Sequence, residues 1–241
     1  MTRTSRDVDE LVPPVDPSAP VSLTEVFNWV DGREEGNDTE PVTHGGTAVS
    51  TDTEDVDLVD AAVVENLGRV ALFAALMGAF AYVSFPNPFS PAPVTLQVLG
   101  VFLAGIFLGP VWGGVSIGLY LAAGALGAPV FSGGSAGLAP LVGSTAGYLW
   151  SYPIGAFVVG AIVHGGLSVG DPREAGLIHL VGSMVAGTAV VYAMGVAGLM
   201  LVLGLGPVAA FMAGAAAFIP AEAFKIAAAV GIVRSDAFVA E

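Results

Sequence analysis

Apolar and polar positions divide this chain near residue 67. Residues 1–66 are polar, acidic and interrupted by Pro and Thr, with too little apolar content to offset the entropy of folding. Beyond them, long apolar runs alternate with short Pro- and Gly-containing breaks. The pattern predicts helices at about Gly68–Phe85, Val94–Leu108, Val111–Leu126, Gly143–His164 and Ala175–Leu205. A sixth is broken, with a short piece near Pro207–Ala217 and a main part from Pro220 to about Val233. Several are shorter than the roughly 20 residues that cross a bilayer squarely, so loops must dip inward around a cavity. The expected fold is an all-α membrane protein: a six-transmembrane-helix bundle over 67–236, a disordered acidic cytoplasmic tail at 1–66, and a short C-terminal tail at 237–241.

Charge placement sharpens this picture. No Asp, Glu, Lys or Arg lies between Arg69 and Asp171, and none between Glu174 and Glu222. Glu222 and Lys225 therefore stand alone in deep apolar sequence, within Ile219-Pro220-Ala221-Glu222-Ala223-Phe224-Lys225. A charge at the centre of a bilayer costs at least about 2.5 kcal/mol, and such residues usually mark a functional site. Three positions apart, the two share a helix face. Pro220 suits the first turn of a helix, so it reads as the start of a shorter final helix whose positive end lies beside Glu222. Broken helices of this kind line substrate cavities in transporters. The plainer alternative is an ion pair that only fixes helix packing.

Composition agrees. The 241 residues include 33 Gly and no Cys, and the mean hydropathy is +0.78. Abundant Gly in apolar sequence is typical of membrane helices. Without cysteine there is neither disulfide nor thiolate chemistry. Residues 1–66 carry 16 Asp and Glu against 3 Lys and Arg, whereas 67–241 carry 5 and 4. Most of the net charge of −14 is thus in the tail. The scarcity of clustered bases argues against nucleic acid as a partner. The tail lacks the basic and apolar regions of a signal peptide. Its Ser22-Leu23-Thr24-Glu25 is a capping box followed by Val26, Phe27 and Val30 at helical spacing, but an isolated helix that short is marginal. His44 has no metal-ligand spacing around it, and no metal or cofactor is expected. Six spans place both termini on one side together with Arg69, Arg173 and Arg234, which the excess of cytoplasmic bases assigns to the inside of the cell membrane.

The outer loops carry further signals. Phe85-Pro86-Asn87-Pro88-Phe89-Ser90-Pro91-Ala92-Pro93 is a stiff, non-helical strap directly before Thr95 and Gln97, suited to covering a cavity. Val130-Phe131-Ser132-Gly133-Gly134-Ser135-Ala136-Gly137 is Gly-rich, so its backbone can approach a ligand closely. The same stretch matches G-x-S-x-G, but no strand–turn–helix context surrounds Ser135, and His164 and His179 fall at the opposite, cytoplasmic ends. In the first helix, Ala71, Ala75 and Ala79 recur at every fourth position, a spacing that lets another membrane helix pack closely.

These segments, in order, resemble one family. Leu72-Phe73-Ala74-Ala75-Leu76-Met77 is similar to its first helix. Phe89-Ser90-Pro91-Ala92-Pro93-Val94-Thr95-Leu96-Gln97-Val98-Leu99-Gly100 resembles its first loop and second helix. Gly127-Ala128-Pro129-Val130-Phe131-Ser132-Gly133-Gly134 and Gly143-Ser144-Thr145-Ala146-Gly147-Tyr148-Leu149 resemble its Gly-rich loop and fourth helix. Pro220-Ala221-Glu222-Ala223-Phe224-Lys225 resembles its Pro-Gly-Asp-x-x-Lys, with one extra methylene on the acidic arm. The family is BioY, the biotin-binding S components of energy-coupling factor (ECF) transporters. The resemblance covers about residues 69–235.

The resemblance implies a multi-pass subunit that binds biotin from outside. It also implies docking onto a transmembrane coupling subunit and two ATPases, partly through Ala71, Ala75 and Ala79. By resemblance, Thr95, Gln97, Tyr120, Phe131 and Tyr148 border the ligand, and Glu222 and Lys225 supply its polar contacts. No Walker A sequence occurs, so ATP hydrolysis falls to partners. The alternatives are an S component for another small vitamin, a permease working alone, and an intramembrane hydrolase using Ser135.

Overall fold

The computed structural model describes residues 61–235; the expectations for the acidic tail, its capping box and His44, and for residues 236–241, fall outside that range. The described chain is almost entirely helical. Helix α1 (Ala61–Tyr82) leads into two short antiparallel strands, β1 (Ser84–Phe85) and β2 (Val94–Thr95). Then follow α2 (Gln97–Ala125), α3 (Ala139–Val142), α4 (Ala146–Val163), α5 (Leu177–Leu203), α6 (Pro207–Gly214) and α7 (Ile219–Arg234). Five stretches among the described residues are long and apolar enough to cross a membrane: Val63–Tyr82, Gln97–Ala125, Ala146–Val163, Leu177–Leu203 and Pro207–Arg234.

The stretch Gln97–Ala125 is two helical arms, not one rod. Gly109 leaves the helical region at φ 77°, ψ −178°, and Pro110 follows. Positive φ there suits Gly, and Pro cannot extend the preceding helix. Gln97 Nε2 donates to Tyr120 Oη at 2.7 Å. Along a straight helix those residues would be about 34 Å apart, so the arms run antiparallel. They press together where a Cβ on Gly113 would come within 2.8 Å of the Ala104 carbonyl oxygen. The expected break at Gly109-Pro110 is therefore present, as a hairpin corner.

Helix bounds differ from expectation by up to three residues at several ends, including the end of α1 at Tyr82 instead of Phe85, and by seven at its start. α1 begins at Ala61, so residues 61–66, assigned to the tail, extend the first helix. The expectation was set by charge, yet Glu65 and Arg69 pair at 2.6 Å one turn apart on the exposed surface, which suits the helix. The second helix starts at Gln97 instead of Val94, because Val94 and Thr95 pair with Phe85 and Ser84. The proline strap 86–93 thus becomes the loop of a small hairpin. The final helix breaks as expected: α6 ends at Gly214, a 3₁₀ turn spans Ala216–Phe218, and Pro220 sits in the first turn of α7 with Glu222.

Packing follows the helical period. α5 buries Leu180, Ser183, Met184, Gly187, Val191, Gly195 and Leu199 as one stripe, while Ile178, Val185 and Leu201 face outward. A helix apolar on every side is what a lipid-facing bundle requires. α2 lies against α1 and α4, α4 against α5, and α7 against both α2 and α5, which closes the bundle around the site.

Candidate functional site

A cavity of about 330 Å³ opens between loops 86–93 and 127–142 and α7. It is within the usual size range for small-molecule sites, roughly 300–1,000 Å³. Thr95, Gln97, Phe131, Tyr148, Glu222 and Lys225 all line it. These positions lie up to 130 residues apart in sequence, and the fold brings six of the seven expected ligand neighbours to one wall or another.

The seventh, Tyr120, does not line the cavity and stands behind it. Its hydroxyl accepts from Gln97 Nε2, and its ring meets Phe131 edge-on with centroids 5.5 Å apart. Thr95 Oγ1 donates to Gln97 Oε1 at 3.0 Å and accepts from the Gln97 N–H at 3.3 Å. The Gln97 amide is therefore fixed from both ends. Tyr120 acts on the cavity through Gln97 and Phe131.

The floor is the ion pair. Lys225 Nζ donates to Glu222 Oε1 at 2.6 Å, and the two residues are only 3% and 4% exposed. Charge-assisted bonds of this length are the strong ones. The second carboxylate oxygen, Oε2, is buried without a hydrogen-bond partner. Ser132, Ser144 and Thr145 are only half-buried and Ser135 is exposed, so the hydroxyl-rich side of the cavity is its mouth.

Aromatic walls complete the site, and the sequence missed several of them. Tyr152 and Leu149 come from α4, Val191 and Tyr192 from α5, and Phe218 from the 3₁₀ turn. Phe218 is tilted against both Tyr148 and Tyr192 with centroids 6.3 Å away. Tyr148 donates from Oη to the Gly214 carbonyl at 2.7 Å. Its ring covers Gly195 so closely that a Cβ there would collide with it. The one usable signal was period: Tyr152 shares a face with Tyr148 at four-residue spacing and with Leu149 at three-residue spacing.

These loops are tied together over this region. Tyr82 Oη donates to the Pro129 carbonyl at 2.6 Å, and Ser84 and Ser132 hydroxyls meet at 3.2 Å. Asn87 Nδ2 reaches the Ala217 carbonyl at 3.5 Å, which joins the strap to the break before α7. Ser135 lines the mouth but shows no nucleophile geometry: its Oγ donates to the Ser132 carbonyl at 2.9 Å. His164 caps the far end of α4, about 27 Å along an 18-residue helix. It is bonded there to Ile106 and Gly170. His179 lies in the first turn of α5 at that same end. No histidine among the described residues can activate Ser135, and the hydrolase alternative has no support in the geometry.

The exposed face of α1 holds Ala71, Ala75 and Ala79, while Val70, Met77 and Ala81 turn inward. None of the α1 residues lines the cavity.

The BioY family model matches residues 50–239. The chain is 39% identical over 175 residues to a protein of Rhizobium etli named biotin transporter BioY, covering 70% of this chain and 91% of that one. It is 37% identical over 133 residues to a Thermotoga maritima protein of the same name, covering 55% and 73%. Among solved structures, it resembles the S-component for biotin from an ECF-type ABC transporter with a TM-score of 0.64. That match has 24% identity and covers 73% of this chain and 92% of the other. The chain belongs to the BioY family.

Proposed function

We propose that this BioY chain is the biotin-binding membrane subunit, or S component, of an ECF-type vitamin uptake transporter. The observation that carries the reading is the buried Glu222–Lys225 pair at the floor of a cavity of about 330 Å³. Its relatives are named for biotin transport. Biotin has a ureido ring with two N–H donors and a carbonyl, an apolar fused ring and a carboxylate tail. Lys225 is already neutralised by Glu222, so a second carboxylate at the floor would bury uncompensated charge. The free Glu222 Oε2 suits the ureido N–H groups instead. The half-buried hydroxyls of Ser132, Ser144 and Thr145 at the mouth suit the carboxylate. Thr95, Gln97, Phe131 and Tyr148 form the walls between, and Tyr120 braces two of them.

Counting the arms of α2 separately gives six spans, with both termini cytoplasmic and the strap 86–93 outside. Arg69, Arg173 and Arg234 then share the cytoplasmic side, in keeping with the bias of basic residues. The subunit carries no catalysis of its own. A transmembrane coupling subunit and two ATPases supply the energy, with Ala71, Ala75 and Ala79 on the docking face. Isothermal titration of the purified protein with biotin tests the site. The paired variant Glu222→Gln/Lys225→Met keeps the volume and removes both charges. It is expected to fold and to give no biotin heat; normal binding by that variant overturns the assignment.

A further inference from the structure

Among the described residues, three buried side-chain oxygens lack a hydrogen-bond partner: Glu222 Oε2, Tyr192 Oη and Thr188 Oγ1. Native proteins leave few such atoms, because each forfeits its bond to water without replacement. Thr188 and Tyr192 are one turn apart on α5 and share a face, and α5 packs on α7, which carries Glu222. Tyr192 and Glu222 line the cavity; Thr188 does not. Tyr148 and Tyr120 have their hydroxyls engaged, by Gly214 and Gln97 respectively. Tyr192 has its ring braced by Phe218. Its hydroxyl and the Glu222 carboxylate are hydrogen-bonding neighbours, but no bond of full length and angle joins them, so both oxygens keep capacity for a ligand.

We propose that Tyr192 is a further ligand-recognising residue: its hydroxyl and the free oxygen of Glu222 together read a neutral edge that carries an N–H beside a carbonyl. The carboxylate oxygen accepts from the N–H, and the phenol donates to the carbonyl. A cyclic urea presents such an edge. An anion does not, and neither does a hydrocarbon. The assignment rests on the biotin reading and adds to it a residue on α5.

The test is titration of the purified full chain with biotin and with 2-thiobiotin, in which a weakly accepting sulfur replaces the ureido oxygen. Tyr192→Phe is expected to weaken biotin by about five- to tenfold, the worth of one buried hydrogen bond. It is expected to weaken 2-thiobiotin by less than about twofold, because that bond is already poor. Thr188→Val, which removes the neighbouring unpartnered hydroxyl outside the cavity, is expected to leave both affinities unchanged. Three outcomes overturn the proposal. They are wild-type affinity and discrimination in Tyr192→Phe, an equal loss in Thr188→Val, and failure of Tyr192→Phe to fold, which makes the hydroxyl structural. Absence of biotin binding to the unaltered chain instead overturns the biotin reading, so the two failures are distinguishable.

Discussion

At the scale of single residues, the site depends on one acid and one base that are tolerable only together. Removing one partner of a buried ion pair leaves the other charged and unpaired, at a cost of about 3–5 kcal/mol, whereas replacing both by neutral groups of similar volume is often close to neutral. Glu222→Ala and Lys225→Ala are therefore each expected to lower the melting temperature in detergent by more than Glu222→Gln/Lys225→Met does, although all three lose biotin. Equal melting temperatures would show that the pair is solvated. The glycines beneath the aromatics make a second residue-scale case. A Cβ at Gly195 would collide with the Tyr148 ring, which is also held by its bond to the Gly214 carbonyl. Gly195→Ala is thus expected to weaken biotin binding several-fold through displacement of Tyr148, by titration. Glu222 and Lys225 were legible in the sequence because charge is conspicuous among apolar residues. Tyr192, Tyr152 and Phe218 were not, because an aromatic in an apolar helix looks the same whether it faces lipid, core or ligand. Only the rotation of α5 and α4 in the bundle decides among the three.

At the scale of elements, the corner at Gly109 determines the most. It turns a continuous apolar stretch into two arms and so brings Gln97 against Tyr120 at 2.7 Å. Glycine is needed for the left-handed φ, and a Cβ there would also press on Val169. Gly109→Ala is expected to cost at least about 1–2 kcal/mol for the backbone alone. The readout is a lower melting temperature together with weakened biotin binding, since Gln97 loses its brace. An unchanged melting temperature would mean that the corner adapts freely. The Gly-Pro break and the split last helix were readable because each depends on local backbone chemistry. The pairing of Val94 and Thr95 with β1 was not, because its partner strand lies across eight intervening residues. The start of α1 at Ala61 was missed for a different reason: an exposed ion pair looks like a solvated tail until it is seen to be one helical turn long.

At the scale of the whole molecule, the cavity and the proposed docking face are separate, and this makes coupling testable. α1 contributes no residue to the cavity. It turns Val70, Met77 and Ala81 toward the bundle and leaves Ala71, Ala75 and Ala79 on its outer side. A side that met only lipid would gain from larger side chains, whereas small residues at four-residue spacing let a second helix approach closely. The chain has no Walker A sequence, and in the proposed reading the ATPase partners act on it through such a contact. Ala75→Leu enlarges the middle of that face without touching the cavity. It is expected to leave the biotin isotherm of the isolated subunit unchanged, while the coupling subunit and ATPases no longer co-purify and ATP-dependent uptake falls to background. If Ala75→Leu assembles and transports normally, the partner docks elsewhere. If it loses biotin binding as well, α1 and the cavity are mechanically connected, and the separation read from the fold fails.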